Sequence, residues 1–175
     1  MVVITNWSRV RSIGRGATAI VSLSVNTNSG QFFAVKSTDI SRSSSLQREQ
    51  SILSALHSPY IISYLGFDIA TDESYNLFLE YAPSGSLCDV IRSHGGRIDE
   101  PTVRAYAANI LHGLAYIHSN SVVYCGIKSS YVVGSNGRAK IADFGCAQRG
   151  FCSNKTQTIM GIHGHRDGHR MDSPE

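Results

Sequence analysis

The sequence predicts an α+β protein built as two lobes, and three observations carry that prediction. Five short segments rich in β-branched and aromatic residues fill the first 81 positions, with a single helical stretch among them. The linker Ala82-Pro83-Ser84-Gly85 then breaks the pattern, and a long apolar stripe at helical spacing dominates the rest of the chain. With 175 residues, 42% of them hydrophobic, the chain holds enough apolar material for one core or for two small lobes sharing a cleft.

Each element has a local reason. Residues 7–13, 19–25 and 31–37 read as strands of a meander, and Asn26-Thr27-Asn28-Ser29-Gly30 supplies the residues that tolerate a hairpin turn. A helix comes next, with Leu46, Ile52, Leu53 and Leu56 near one face, cap oxygens on Ser43 to Ser45, and His57-Ser58-Pro59 to end it. Residues 61–67 and 75–81 complete an antiparallel sheet of five strands. Beyond the linker, residues 86–93 form a short helix ended by Gly95-Gly96, and Asp99 caps a longer one with Pro101 in its first turn. Val103, Ala107, Ile110, Leu111, Leu114 and Ile117 mark the packed face of that longer helix. Residues 122–133 and 139–142 read as loop and short strands around Asn136-Gly137, while 150–175 show neither periodicity and read as a mobile segment.

Charge and cysteine usage narrow the function classes. The net charge of +3 is spread along the chain, and its one basic cluster, Arg9, Arg11 and Arg15, is interleaved with apolar residues, which argues against a nucleic-acid partner. No apolar run approaches the roughly 18 residues of a membrane span, so neither a membrane nor export is expected. Cys88, Cys125, Cys146 and Cys152 are spaced by 37, 21 and 6 residues and match no disulfide scaffold. Free thiols in a reducing cytosol or nucleus are expected.

Three motifs carry chemistry. Gly14-Arg15-Gly16-Ala17-Thr18-Ala19 lies between two strands, where glycines let backbone N–H groups approach phosphate oxygens; an ordinary hairpin turn uses the same residues. Phe33-Ala34-Val35-Lys36 places a lysine at the end of an apolar strand. Buried, that lysine needs a partner, and Glu49 on the next helix is the candidate; the bland alternative is a lysine that snorkels to solvent. Asp143-Phe144-Gly145 comes directly after the apolar Ile141-Ala142 and offers a carboxylate suited to Mg²⁺ beside a residue that permits a sharp turn.

Taken in order, the Gly-rich hairpin, strand Lys, helix Glu, linker, long helix and Asp-Phe-Gly resemble the catalytic domain of serine/threonine protein kinases, and among them the plant mitogen-activated protein kinase kinase kinases. The likeness runs from Trp7 to about Gln148 and includes Leu46-Gln47-Arg48-Glu49-Gln50, Ser58-Pro59-Tyr60-Ile61 and Gly126-Ile127-Lys128-Ser129-Ser130. It implies a bilobal fold with residues 1–81 as the small lobe, 82–85 as the hinge, 86–149 as part of the large lobe, and 150–175 as an activation-segment-like tail. It implies ATP and Mg²⁺ as cofactors and proteins of a kinase cascade as partners. Gly14, Gly16 and Ala19 would form the phosphate loop, Lys36 would contact the α- and β-phosphates, Glu49 would hold Lys36, and Asp143 would bind Mg²⁺. Val21, Ala34 and Val133 would enclose the adenine ring, Leu79 would be the gatekeeper, and Glu80 and Ala82 would offer hinge backbone hydrogen bonds. Leu53, Leu65, Tyr124 and Phe144 would stack as an apolar spine.

The departures from the family pattern concern catalysis. Where kinases carry His-Arg-Asp and then Asn, this chain reads Tyr124-Cys125-Gly126, then Lys128, then Tyr131. Gly126 stands at the catalytic base, a group typically worth about 10²–10⁴ in rate, or roughly 3–5 kcal/mol. Tyr131 replaces the Asn that holds a second Mg²⁺, and Ala19 replaces the third glycine of the loop. Lys128 is the catalytic-loop residue that remains. His165-Arg166-Asp167 spells the missing motif but lies after Asp143, and His163, His165 and His169 match no zinc spacing. Met171-Asp172-Ser173-Pro174-Glu175 resembles the end of an activation segment, so a truncated large lobe is expected, with Ile110, Leu114 or Ile117 exposed. The expected function is a catalytically impaired, ATP-binding, pseudokinase-like domain of this type. The alternatives are a residually active Ser/Thr kinase and an interaction module that binds no nucleotide.

Overall fold

The apolar segments of the first lobe pair as β1 (Trp7–Arg15), β2 (Ile20–Asn26), β3 (Phe32–Asp39), β4 (Tyr64–Ile69) and β5 (Ser74–Leu79), in the antiparallel order β1-β2-β3-β5-β4. A 3-10 turn, Ile40–Arg42, leads from β3 into α1 (Ser44–Leu53). The second lobe contains α2 (Leu87–Ser93), α3 (Glu100–Ser119) and the short strands β6 (Val122–Val123), β7 (Tyr131–Val133), β8 (Ala139–Ile141) and β9 (Gln148–Arg149). The computed structural model describes residues 4–16, 18–70, 73–126 and 131–150.

Strand alternation decides what the sheet offers to each side. Phe33 and Val35 of β3 are buried with Phe78 on the outer face, where Trp7 closes an edge-to-face triangle with ring centroids 5.4 Å from Phe78 and 6.2 Å from Phe33. Arg9 lies 5.3 Å over the Trp7 ring and donates to Asn76 Oδ1 at 2.9 Å, so one arginine of the basic cluster has a structural post. Ala34 and Lys36 take the other face. There Ala34, Leu77 and Leu79 pack on Leu46, Ile52 and Leu53 of α1 in a cluster that continues through Ile117, Val122, Tyr124, Ile141 and Phe144. One core serves both lobes.

Several expectations change. The fourth strand begins at Tyr64 rather than residue 61: Ile61 bridges Ile141, Ile62 N–H donates to Ile141 O at 2.9 Å, and Ile141 N–H donates to Tyr60 O at 2.8 Å. This stretch ties the lobes together instead of extending the sheet. Ser43 occupies the cap position of α1, but its hydroxyl donates to Ile40 O at 2.6 Å and accepts from Gln47 Nε2 at 2.7 Å, so it forms no cap bond; Asp99 likewise forms none. Ser86 does cap α2, accepting from Asp89 N–H while the Asp89 carboxylate accepts from Ser86 N–H at 2.9 Å. On α3, Gly113 and Ile117 are buried, whereas Val103 and Leu111 of the supposed packed face are 46% and 65% exposed. Helix α3 meets β8 through its C-terminal half: a Cβ on Gly113 would sit 2.8 Å from Ile141 Cδ1 and 3.1 Å from Tyr60 O. Ile117 therefore belongs to the core and not to an exposed patch.

Candidate functional site

The register of the sheet builds one wall of the cleft. Gly14 lies opposite Val21, Val21 opposite Lys36, and Lys36 opposite Leu77, while Leu23, Ala34 and Leu79 form the adjacent row. Cross-strand neighbours share a face, so the Lys36 chain emerges beside Val21 and Ala34. Its ammonium donates to Glu49 Oε2 at 2.7 Å and to Asp143 Oδ1 at 2.8 Å. The bland alternative of a snorkelling lysine is excluded, since only 18% of the Lys36 side chain is exposed and both partners are carboxylates.

Glu49 sits at the centre of this arrangement, 1% exposed, and its second oxygen accepts the Phe144 N–H at 3.1 Å. The helix that carries Glu49 is thereby bonded to the strand wall and to the Asp143-Phe144-Gly145 segment at once. Asp143 adopts a left-handed backbone (φ 61°) and accepts the Gly145 N–H at 3.4 Å. Below it, Tyr124 donates its hydroxyl to Ala142 O at 2.5 Å and meets Phe144 edge-to-face at 5.2 Å. Tyr124 and Phe144 are buried with Leu53 in the shared core, but Leu65 packs on the outer cluster; Tyr64, one residue earlier, packs against the shared core and accepts from Gln50 Nε2 at 3.3 Å. The spine assignment of Leu65 is corrected to Tyr64.

The electrostatics arise from burial and pairing. Burial alone would lower the Lys36 pKa, yet the carboxylates of Glu49 and Asp143 outweigh it and hold the ammonium above its ordinary value. Burial raises the Glu49 carboxyl, and the opposing pull of Lys36 and the Phe144 N–H does not cancel it. Burial also works against ionised Asp143, but Lys36 prevails and sets its carboxyl below the usual range. At neutral pH the cleft therefore presents a charged lysine held against an ionised aspartate.

Ala34 and Leu79 are buried and Val21 is half-buried on the Lys36 side of the sheet, and Val133 is buried in β7, where its N–H donates to Gly85 O at 3.0 Å. Gly16 N–H donates to Ala19 O at 2.8 Å, closing the glycine hairpin on itself. The Ala82 carbonyl accepts from Gly85 N–H at 3.1 Å, and the Ala82 N–H makes no backbone bond among the described residues. Glu80 adds a feature that sequence reasoning missed. Its carboxylate accepts from Lys140 Nζ at 2.7 and 2.6 Å and from Ser63 N–H and Oγ at 3.1 and 2.8 Å. A lysine between Ala139 and Ile141, both fully buried, was the available signal.

The catalytic-loop side is different. Gly126 is half-buried, and a Cβ there would make ordinary contacts with Tyr124 at 3.6 Å. Tyr131 pairs with Ile141 in β7 and packs on the core, and burial pushes its phenol upward, keeping it neutral. Lys128 lies outside the described residues, as do Ala17 of the glycine loop, Cys152, the three tail histidines and residues 171–175. Among the described residues no cluster of histidine, cysteine and carboxylate side chains forms a metal site, and no helix is long and apolar enough to cross a membrane. A recess of about 730 Å³ beside the β2–β3 turn, lined by Asn26, Gln31, Phe33, His57 and Leu65 among others, contains none of the Lys36 site.

A family model for the protein kinase domain matches residues 7–166. The chain belongs to the protein kinase family. This kinase domain is 49% identical over 148 residues to mitogen-activated protein kinase kinase kinase 17 of Arabidopsis thaliana, covering 82% of this chain and 40% of that protein. It is 50% identical over 153 residues to mitogen-activated protein kinase kinase kinase 18 of the same plant, covering 82% of this chain and 45% of that protein. A more distant relative, the Saccharomyces cerevisiae serine/threonine-protein kinase BCK1/SLK1/SSP31, is 33% identical over 89% of this chain and 11% of its own length. The kinase domain thus spans less than half the length of these relatives.

Proposed function

We propose that this kinase domain binds ATP with Mg²⁺ in the cleft beside Lys36, that it works among the proteins of a mitogen-activated cascade, and that its own phosphotransfer is strongly impaired. The observation that carries the nucleotide reading is Lys36 paired at 2.7 Å with buried Glu49 and at 2.8 Å with Asp143. Such an ammonium, fixed on one side by a buried carboxylate, is preorganised to donate to phosphate oxygens. Asp143, with 57% of its side chain exposed and Oδ2 without a hydrogen bond among the described residues, suits one Mg²⁺. Val21, Ala34, Leu79 and Val133 supply an apolar enclosure for a base, and the Glu80 carbonyl and Ala82 N–H supply polar edges. Bound Mg·ATP would bring the transferable phosphoryl group, with Lys36 set against its phosphate charge and Asp143 against its metal.

The impairment rests on two positions. Gly126 has no side chain to accept a hydroxyl proton, which removes a contribution of about 10²–10⁴ in rate. Tyr131 offers a neutral phenol, a poor ligand for a hard cation, where a second metal would need an oxygen donor. The residues therefore fit one metal and not two.

Thermal unfolding of the chain with and without millimolar Mg·ATP tests the nucleotide reading. A ligand that binds only the native state adds about 2.7 kcal/mol of stability at a hundred times its Kd, so the melting temperature should rise clearly. A cooperative transition that Mg·ATP leaves unmoved would favour a nucleotide-independent interaction module instead.

A further inference from the structure

Lys140 takes no part in the Lys36–Glu49–Asp143 cluster, and it is the one lysine of the second lobe among the described residues. Its ammonium contacts both Glu80 oxygens at 2.7 and 2.6 Å, with 9% of the Lys140 side chain and 24% of the Glu80 side chain exposed. Ser63 adds two donors to Oε2, and Glu80 N–H returns a bond to Ser63 O at 2.9 Å. Glu80 is therefore held through its carboxylate and its backbone N–H together, and its carbonyl is left without a backbone partner among the described residues. Lys140 also stands in β8, three residues before Asp143. One short strand thus anchors the connection between the lobes at one end and delivers the metal-side carboxylate at the other.

We propose that Lys140 is a positioning residue for base recognition: by clamping the Glu80 carboxylate from the second lobe, it fixes the Glu80 main chain as the polar edge that an adenine ring reads. This deepens the nucleotide reading and rests on it. Displacing a positioning group by about 1 Å is enough to lose much of its effect, so the clamp matters through geometry and not through contact with the ligand.

The test uses the full chain with Lys140→Met, Lys140→Arg, and Lys140→Met combined with Glu80→Gln. Binding of Mg·ATP and of Mg·tripolyphosphate, which lacks the base, is measured by calorimetry, with melting temperatures recorded alongside. Lys140→Met should weaken Mg·ATP at least tenfold, about 1.4 kcal/mol, and leave Mg·tripolyphosphate unchanged, because Lys36 and Asp143 are untouched. Lys140→Arg should keep most of the Mg·ATP affinity. The double variant, which has no unpaired buried charge, should recover the melting temperature without recovering the base-dependent affinity. Equal losses for both ligands, or a double variant that regains Mg·ATP affinity along with stability, would show a purely structural pair and overturn the positioning role. Failure of the unaltered chain to bind either ligand would sink the nucleotide reading itself and this proposal with it.

Discussion

The two ends of the cleft are built differently. At the Lys36 end, the charged groups are tied to the framework: Glu49 joins α1 to the sheet and to Phe144, so the bonds that fix the lysine also hold the lobes in register. At the Gly126 end, the chain offers a residue without a side chain and a tyrosine that pairs with β8 and packs on the core. The difference teaches that in this architecture the ion-pair cluster around Lys36 is built independently of what stands at position 126. Altering Lys36 or Glu49 disturbs packing, whereas position 126 carries no packing obligation beyond ordinary contact with Tyr124.

The strongest way to break that contrast is to fill the empty end. Gly126→Asp with Tyr131→Asn should raise phosphotransfer to a protein substrate by about 10²–10⁴, read as radiolabelled phosphate incorporation. The Cβ at 126 has room, while loss of the Tyr131 ring should lower stability modestly. No gain would mean that these two positions do not limit phosphotransfer.

Emptying the full end comes next. Lys36→Met leaves Glu49 buried without its cation, which costs about 3–5 kcal/mol, and should abolish the thermal shift with Mg·ATP. Adding Glu49→Gln should return most of the stability in denaturant titrations but none of the ligand response. Unchanged ATP affinity in Lys36→Met would refute the phosphate assignment.

A purely structural probe sharpens the contrast. Gly113→Ala forces a Cβ against Ile141 Cδ1 and Tyr60 O, and overpacking of this kind costs about 1–3 kcal/mol. Ile141→Val, which removes that Cδ1, should recover part of the loss in the double variant.

The smallest effect is on titration. Asp143, held below its ordinary 3.8, contributes stability that is complete above that value and is lost as pH falls through its lower folded value. Lys36, raised above 10.5, contributes stability that is complete below that value and disappears as pH climbs through its higher folded value. Glu49 runs oppositely to Asp143: raised above 4.5, it takes up a proton more readily in the folded chain, so acid removes part of its burial cost. Carboxyl-carbon NMR should therefore show Glu49 titrating at a higher pH than Asp143. The reverse order would contradict the buried placement of Glu49.

Much of the first lobe was legible because strand alternation leaves a two-residue imprint, and because a lysine in an apolar strand demands a carboxylate. The third member, Asp143, was legible as a metal-side carboxylate from its own segment, but its bond to Lys36 was not, since nothing in its neighbourhood states that it folds back onto that lysine. Leu65 was placed through the resemblance and not by the face it takes in the sheet. Ile61 to Ser63 lie outside the sheet and a register shift comes after Tyr64, which leaves Leu65 on the outer cluster and Tyr64 against the shared core. The stripe on α3 was over-read because spacing reports which residues share a face and not how far a neighbour reaches along it. Lys140 was missed because residues 139–142, though read as a short strand, are too few to show by alternation which side chains face inward.

The shared core has a kinetic consequence. Leu53 of the first lobe and Ile117, Tyr124 and Phe144 of the second are buried in one continuous cluster, so a local opening that exposes one of them strips cover from the rest. The two lobes should then exchange amide hydrogens as a single cooperative unit, with the deepest amides of α1 and the C-terminal half of α3 protected to the same free energy.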